Sequence, residues 1–184
     1  MKLKRLLIGG FSLLLAIGLV SQMSVAHADA DYDKAKANAP QGLPLSNYFK
    51  FGDFAGNSAK VVDTGRSDGT QMVQLTDAKA EVGTIWTGDD YALDLNKNAT
   101  ASMWMYFGNY PVDAGDGMAF VIQNDTRGVN AVSRASDGTV GNGQTLGVWG
   151  VDDDPKGTVA QIASRGIQNS WALEFDTYLN SNNF

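Results

Sequence analysis

Between Ser170 and Asn180 the chain reads SWALEFDTYLN. On a β-strand successive side chains point to opposite faces, so Ala172, Glu174, Asp176, Tyr178 and Asn180 share one face. Trp171, Leu173, Phe175 and Thr177 take the other face, which reads as ordinary core. The first set lines up two carboxylates, a phenol and an amide, each about 6.6–6.8 Å from the next along the strand. Carboxylates spaced in this way can grip a pair of hard cations such as Ca²⁺ and Mn²⁺, the middle one bridging. Amide and backbone carbonyl oxygens then complete the shell. Paired carboxylates also serve as acid and nucleophile in retaining glycosidases, where they stand about 5–5.5 Å apart. A solvated strand face carries Glu and Asp too. Spacing alone does not separate these readings.

The elements that must position these residues read as β. Short runs rich in β-formers alternate with Gly, Asn and Asp clusters: NYFKFGDF, AKVVDTG, QMVQLT, VGTIWTG, ATASMWMYFG, DGMAFVIQND, TLGVWGV and SWALEFDTY. The connections SDGT, DAGDG and ASDGTVGNGQ have the glycines that tight β-turns require. SMWMYF and MAFVI are apolar on both faces, which predicts interior strands between two layers, and WALEF is expected inside as well. After residue 45 no convincing amphipathic helix appears. The pattern predicts an all-β sandwich of two antiparallel sheets over residues 46–184.

Before that domain stand two segments of a different kind. Lys2, Lys4 and Arg5 precede the apolar run LLIGGFSLLLAIGLV, and small-residue cleavage sites end at Ala28 or Ala30. Residues 1–30 therefore read as a signal peptide, and the protein is expected to be secreted or held at the cell surface. The apolar run is shorter than the roughly 20 residues that a spanning helix needs, so no membrane insertion is expected after cleavage. Residues 31–45, DYDKAKANAPQGLPL, are polar with two prolines and read as a loose arm or linker. The formal net charge of −6 becomes −9 once the three basic residues of the signal are lost at Ala28. An acidic domain without a basic run is a poor partner for nucleic acid or anionic lipid. There is no cysteine, so no disulfide staples the exported domain.

Three further stretches narrow the reading. VDAGDGMAFVIQND and GQTLGVWG, followed by NSWALEFDTYLN, together resemble the L-type (legume-like) lectins, in particular lectin-like surface domains of Gram-positive bacteria. MVQLT and ASMWMYFG are similar to that family's early strands, and the resemblance runs from about residue 46 to the end. It implies a concanavalin A-like jelly roll that binds glycans on cell or matrix surfaces, supported by Ca²⁺ and a transition metal such as Mn²⁺. By resemblance, Glu174 is a ligand of the transition metal and Asp176 bridges it to Ca²⁺. Tyr178 gives Ca²⁺ a backbone carbonyl and turns its ring toward the sugar. Asn180 binds both Ca²⁺ and a sugar hydroxyl. Asp116 accepts hydrogen bonds from sugar hydroxyls, with a cis peptide expected at Gly115–Asp116, and Gly143 lies in the loop whose backbone N–H touches the sugar.

The chain also departs from the family. Gly143-Gln144 stands where the family often has Gly-Gly. The family continues beyond Asn180 to a further aspartate and a histidine that complete both metal sites, whereas the single histidine here, His27, lies in the signal. Residues 46–184 are therefore expected to represent about the first two-thirds of a lectin domain, and residues 31–184 alone are expected to be poorly folded or weakly stable, with Ca²⁺ affinity far below that of the complete domain. Glycosidases of the same architecture carry a third carboxylate after the Glu-x-Asp pair, where this chain has Tyr178. The expectation is a binding protein rather than an enzyme, with two alternatives: a concanavalin-like glycoside hydrolase using Glu174 and Asp176, and a non-binding structural module of a surface protein.

Overall fold

A computed structural model describes residues 30–109 and 114–178. Within them the chain is mostly small antiparallel sheets with few helices, a predominantly β fold. The first strand, β1 (Phe49–Phe51), pairs with β4 (Ile85–Thr87), opposing Phe49 to Thr87 and Phe51 to Ile85. The Asn57 side chain holds this pair from below. Its Nδ2 donates to Gly52 O and Thr84 O, at 2.9 and 3.2 Å, and its Oδ1 accepts from Thr84 N–H at 3.0 Å. The second ladder joins β2 (Lys60–Asp63) to β3 (Gln71–Gln74). Its turn is closed by Gly65 and Gly69, at φ 73° and 72°, and by the Arg66–Asp68 ion pair. The third and longest ladder joins β5 (Gly117–Gln123) to β6 (Ser170–Asp176) through seven opposed pairs.

Six of the eight expected strands form, and two do not. The 99–108 run contains no strand, and within it Met103, Trp104 and Phe107 are exposed, Trp104 to 85%. SMWMYF is thus not an interior strand. A run apolar on both faces needs a layer on each side, and among the described residues its ring contacts with the body are Tyr106 on Tyr32 and Phe107 on Phe175. TLGVWGV is not extended either. Leu146 and Gly147 sit at φ 48° and 70°, and both Val148 and Trp149 N–H close back on Thr145 O. Among the described residues the three ladders do not join into two continuous sheets.

Helices appear where none was expected. The polar arm forms α1 (Ala30–Asn38), with Asp31 and Asp33 in its first turn and Lys36 in its last, both favourable for the helix dipole. Alanine and lysine are good helix formers, and the helix stops two residues before Pro40. Arg66 caps its end by donating to Ala37 O at 2.7 Å, and Tyr32 OH donates to Gln74 Oε1 at 3.1 Å. The arm is therefore tied to the β2–β3 ladder. A single turn, α2 (Leu45–Tyr48), leads into β1. A six-residue helix, α3 (Val159–Ser164), starts at a capping box: Gln161 N–H donates to Thr158 Oγ1, and Thr158 N–H donates to Gln161 Oε1.

The core is small. Ala131, Val148 and Ile167 are buried, with Trp86, Ala119, Val121 and Ala172 packed against them. Val132 and Ser133 are fully enclosed. This inverts the face expected of β6. Ala172, on the carboxylate face, meets the core, while Trp171 and Leu173 are 57% and 45% exposed. WALEF is a strand but not an interior one, because no described element lies against its Trp171–Leu173 side.

What holds the core together is polar. Arg127 forms a two-pronged ion pair with Asp125, at 2.9 and 2.6 Å, and also donates to Val132 O and Gly166 O, each at 2.7 Å. Asp125 in turn accepts the Gln168 N–H at 2.7 Å. The Arg127 guanidinium, aided by the backbone N–H groups of Arg127 and Gln168, holds the Asp125 carboxyl well below the usual carboxylate range. The side chain of Asp125 is 1% exposed, so deleting it strands a half-buried cation. We expect Asp125→Ala to lose about 3 kcal/mol or more in denaturant unfolding, against under about 1 kcal/mol for Lys60→Ala, whose pair with Asp77 is exposed. Because the folded-state pKa of Asp125 is depressed, its contribution is full above the unfolded carboxylate pKa of about 3.9 and is lost as pH falls below it. Wild type should therefore lose stability on acidification more steeply than the Asp125→Ala protein. Parallel acid slopes would refute this assignment.

Candidate functional site

The site is assembled at the end of the longest ladder. In the β5–β6 register Gly117 opposes Asp176 and Ala119 opposes Glu174. Directly opposed residues share a face, so Glu174 and Asp176 point to the core side of the ladder. They lie beyond the end of the core, are exposed, and have only Ala119 and Gly117 across from them. Small partners leave the carboxylates room. The two stand one same-face step apart, about 6.6–6.8 Å along the strand.

Asp116 immediately precedes β5 and is half-buried. Its carbonyl accepts the Thr177 N–H at 3.0 Å, and Gly115 O accepts the Thr177 hydroxyl at 2.7 Å. These two bonds hold the Gly115–Asp116–Gly117 step against the end of β6. The expected cis bond is absent: Gly115–Asp116 is trans. The trans form is the ordinary preference of a non-proline peptide, and both Thr177 bonds are made with it. Alternation alone groups Thr177 with the core. It is instead an exposed clamp on the Asp116 turn, and the hydroxyl placed directly after Phe175-Asp176 was the available clue.

Gly143 comes from elsewhere in the chain and arrives beside Asp116. It opens a 3-10 turn, Gly143–Thr145, with φ 63°. A methyl group placed on its α-carbon would stand 3.6 Å from Asp116 Oδ2. The backbone of the Gly143 loop and the Asp116 carboxylate are therefore neighbours. Asp176 accepts the Tyr178 N–H at 2.8 Å through Oδ1, and Tyr178 is 48% exposed. Asp116, Gly143, Asp176 and Tyr178 thus gather around one end of the β5–β6 ladder. Asn180 lies outside the described residues, as do residues 1–29, which hold nearly all of the segment expected to be an export signal.

Glu174 and Asp176 have the oxygen chemistry that hard cations take. Asp176 has one oxygen committed to Tyr178 N–H, while Glu174 is exposed on the same face. Among the described residues no group of three or more His, Cys, Asp or Glu side chains could hold a metal ion. The donors fit Ca²⁺ or Mn²⁺ in kind, and a full shell would draw on backbone oxygen, Asn180 and water. No described helix is long and apolar enough to cross a membrane. Comparison with family models, with curated proteins and with solved structures finds no match.

The arrangement depends on Gly117. Its φ is 136°, and a Cβ there would fall 2.1 Å from Phe175 O, well inside contact distance. Gly115, two residues away, has open space around it. Gly117→Ala should therefore destabilise the protein by about 2 kcal/mol or more, through strain and loss of the Asp176 pairing. Gly115→Ala should stay within about 0.5 kcal/mol of wild type. Urea unfolding of the two variants decides it, and equal losses would mean that the turn is not held as described.

Proposed function

We propose that this protein is an exported carbohydrate-binding domain of the L-type lectin kind, acting in adhesion to glycans on cell or matrix surfaces. On this reading its ladders are parts of a concanavalin A-like jelly roll. The observation that carries it is the meeting of the Asp116 carboxylate with the Gly143 backbone, beside the Asp176–Tyr178 end of β6. A sugar presents adjacent hydroxyls and an apolar ring face. A carboxylate accepts from two hydroxyls, a glycine admits the backbone close to the ligand, and an exposed tyrosine packs on the ring. Asn180 is assigned the remaining hydroxyl contact by resemblance alone.

Glu174 and Asp176, with the Tyr178 carbonyl and Asn180, would hold Ca²⁺ and a transition metal such as Mn²⁺. The ions would supply fixed positive charge that orders the loops around Asp116 and Asn180. The family resemblance supports this assignment, as does the exposure of both carboxylates on one face of β6. The domain is assigned no catalytic step.

Two measurements test the proposal. A glycan array followed by calorimetric titration should identify a neutral sugar bound by the wild-type chain. Asp116→Asn should weaken that binding by about 100-fold or more, since two hydrogen bonds to a charged acceptor contribute roughly 1.5–3 kcal/mol each. Its melting should change little, by under about 0.5 kcal/mol. Titration with Mn²⁺ should give heat that Glu174→Gln and Asp176→Asn each remove, and titration with Ca²⁺ should give heat that Asp176→Asn removes. A chain that binds no glycan with or without Ca²⁺ would overturn the lectin reading. So would an Asp116→Asn protein that loses stability in step with binding, because Asp116 would then be structural.

A further inference from the structure

The loop that brings Gly143 to Asp116 contains the chain's single Asn-Gly step, Asn142-Gly143. When glycine follows asparagine, no Cβ obstructs the approach of the next backbone nitrogen to the side-chain carbonyl. Both residues are exposed, Gly143 sits at φ 63°, and its N–H donates no hydrogen bond among the described residues. One bond restrains the Asn142 side chain, whose Nδ2 donates to Ala80 O at 3.0 Å. That bond links two turns 62 positions apart. At its far end Ala80 stands at φ 60°, a conformation that non-glycine residues adopt only when neighbours hold them there.

We propose that Asn142 is a site of self-modification, converting to aspartate and isoaspartate, and that conversion releases the Gly143 loop from the Ala80 turn. The Gly143 nitrogen attacks Asn142 Cγ. A nitrogen–Cγ bond forms, the Cγ–Nδ2 bond breaks, and the side-chain nitrogen leaves as ammonia with the proton given up by the Gly143 amide. The five-membered imide then takes up one water. Opening at the new nitrogen–Cγ bond restores the main chain with aspartate at 142. Opening at the nitrogen–main-chain carbonyl bond leaves isoaspartate, with one additional carbon in the backbone. Water is the only co-reactant, and nothing is oxidised or reduced.

Aspartate replaces the N–H donor with a carboxylate facing Ala80 O, so an attraction becomes a repulsion, and isoaspartate loses the donor because its Cγ is now the amide carbon bonded to Gly143. Isoaspartate also lengthens the backbone directly before the Gly143–Thr145 turn, which moves Gly143 relative to Asp116. The unmodified asparagine is thus a temporary tie between two loops, and its lifetime is set by how often the Ala80 bond opens.

The test uses the full chain, aged in warm, mildly alkaline buffer and sampled over time. Peptide mass spectrometry, with isoaspartate scored by enzymatic methyl labelling, should find Asn142 converting ahead of every other asparagine in the described residues. In a second arm, Asn142→Asp should raise hydrogen exchange across residues 77–84 relative to wild type, while β2 and β3 keep their protection. An Asn142 that persists while other asparagines convert would overturn the proposal, as would an Asn142→Asp protein whose exchange over 77–84 is unchanged. Neither arm depends on sugar binding, so the outcome is separate from the lectin reading.

Discussion

The Arg127–Asp125 pair is the interaction on which the rest of this structure depends. Among the described residues the buried apolar cluster has Ala131, Val148 and Ile167 at its centre, too few side chains to fix three loops by hydrophobic burial alone. Arg127 supplies what the core lacks. A planar guanidinium can satisfy a carboxylate and two carbonyls at once, and here those carbonyls belong to Val132 and Gly166 on different segments. Asp125 reaches in the opposite direction to the Gln168 backbone. With these segments tied, Ser133 can hand its N–H to Gly147 O and accept from Gly141 N–H. The Gly143 loop hangs between those two contacts, so its placement beside Asp116 is downstream of the ion pair.

Legibility in the sequence followed the reach of each interaction. β2 and β3 were legible because alternation and a Gly-containing turn lie within fifteen consecutive residues, 60 to 74. β5 and β6 were legible as strands from their β-branched and aromatic content. Their burial was not. Which face of a strand is covered depends on what packs there, and the layer on the Ala172 side is made by loop residues 131, 148 and 167 that show no periodicity of their own. TLGVWGV failed as a strand for a local reason, since Gly147 at φ 70° lets Val148 and Trp149 fold back on Thr145. The α3 helix had a readable start in Thr158-Val-Ala-Gln161, a capping box in short form. The α1 helix lacked a comparable signal, because its stabilisation comes from Arg66 and Gln74 far along the chain.

The candidate site was legible in its parts and not in its mechanics. Alternation on SWALEFDTY placed Glu174 and Asp176 on one face, as the register against Ala119 and Gly117 has them. The proximity of Asp116 to Gly143 joins positions 27 apart, and nothing in periodicity could indicate it. Thr177 was hidden by the same alternation that identified its neighbours: past the last ladder pair, side chains answer to the turn and no longer to the sheet. Gly117 looked like half of a common turn dipeptide, yet its lack of a Cβ is what lets β5 pass under Phe175 O.

The three ladders differ greatly in the length of chain that each must close. β2 and β3 are joined by residues 64–70, whereas β5 and β6 are separated by residues 124–169. Loop entropy grows with the logarithm of length, so the longer closure is dearer by only about 1.7 kcal/mol for a featureless chain. This interval is not featureless. Ser133 N–H to Gly147 O and Arg134 N–H to Arg165 O each fold part of it onto itself and shorten the stretch still free to wander. The end of the ladder where Asp116 meets Thr177 is therefore of high contact order on paper but of much lower effective contact order once residues 131–167 have condensed. Most of the entropy cost of bringing β5 to β6 therefore lies in ordering the loop and little of it in joining the strands that carry the candidate site.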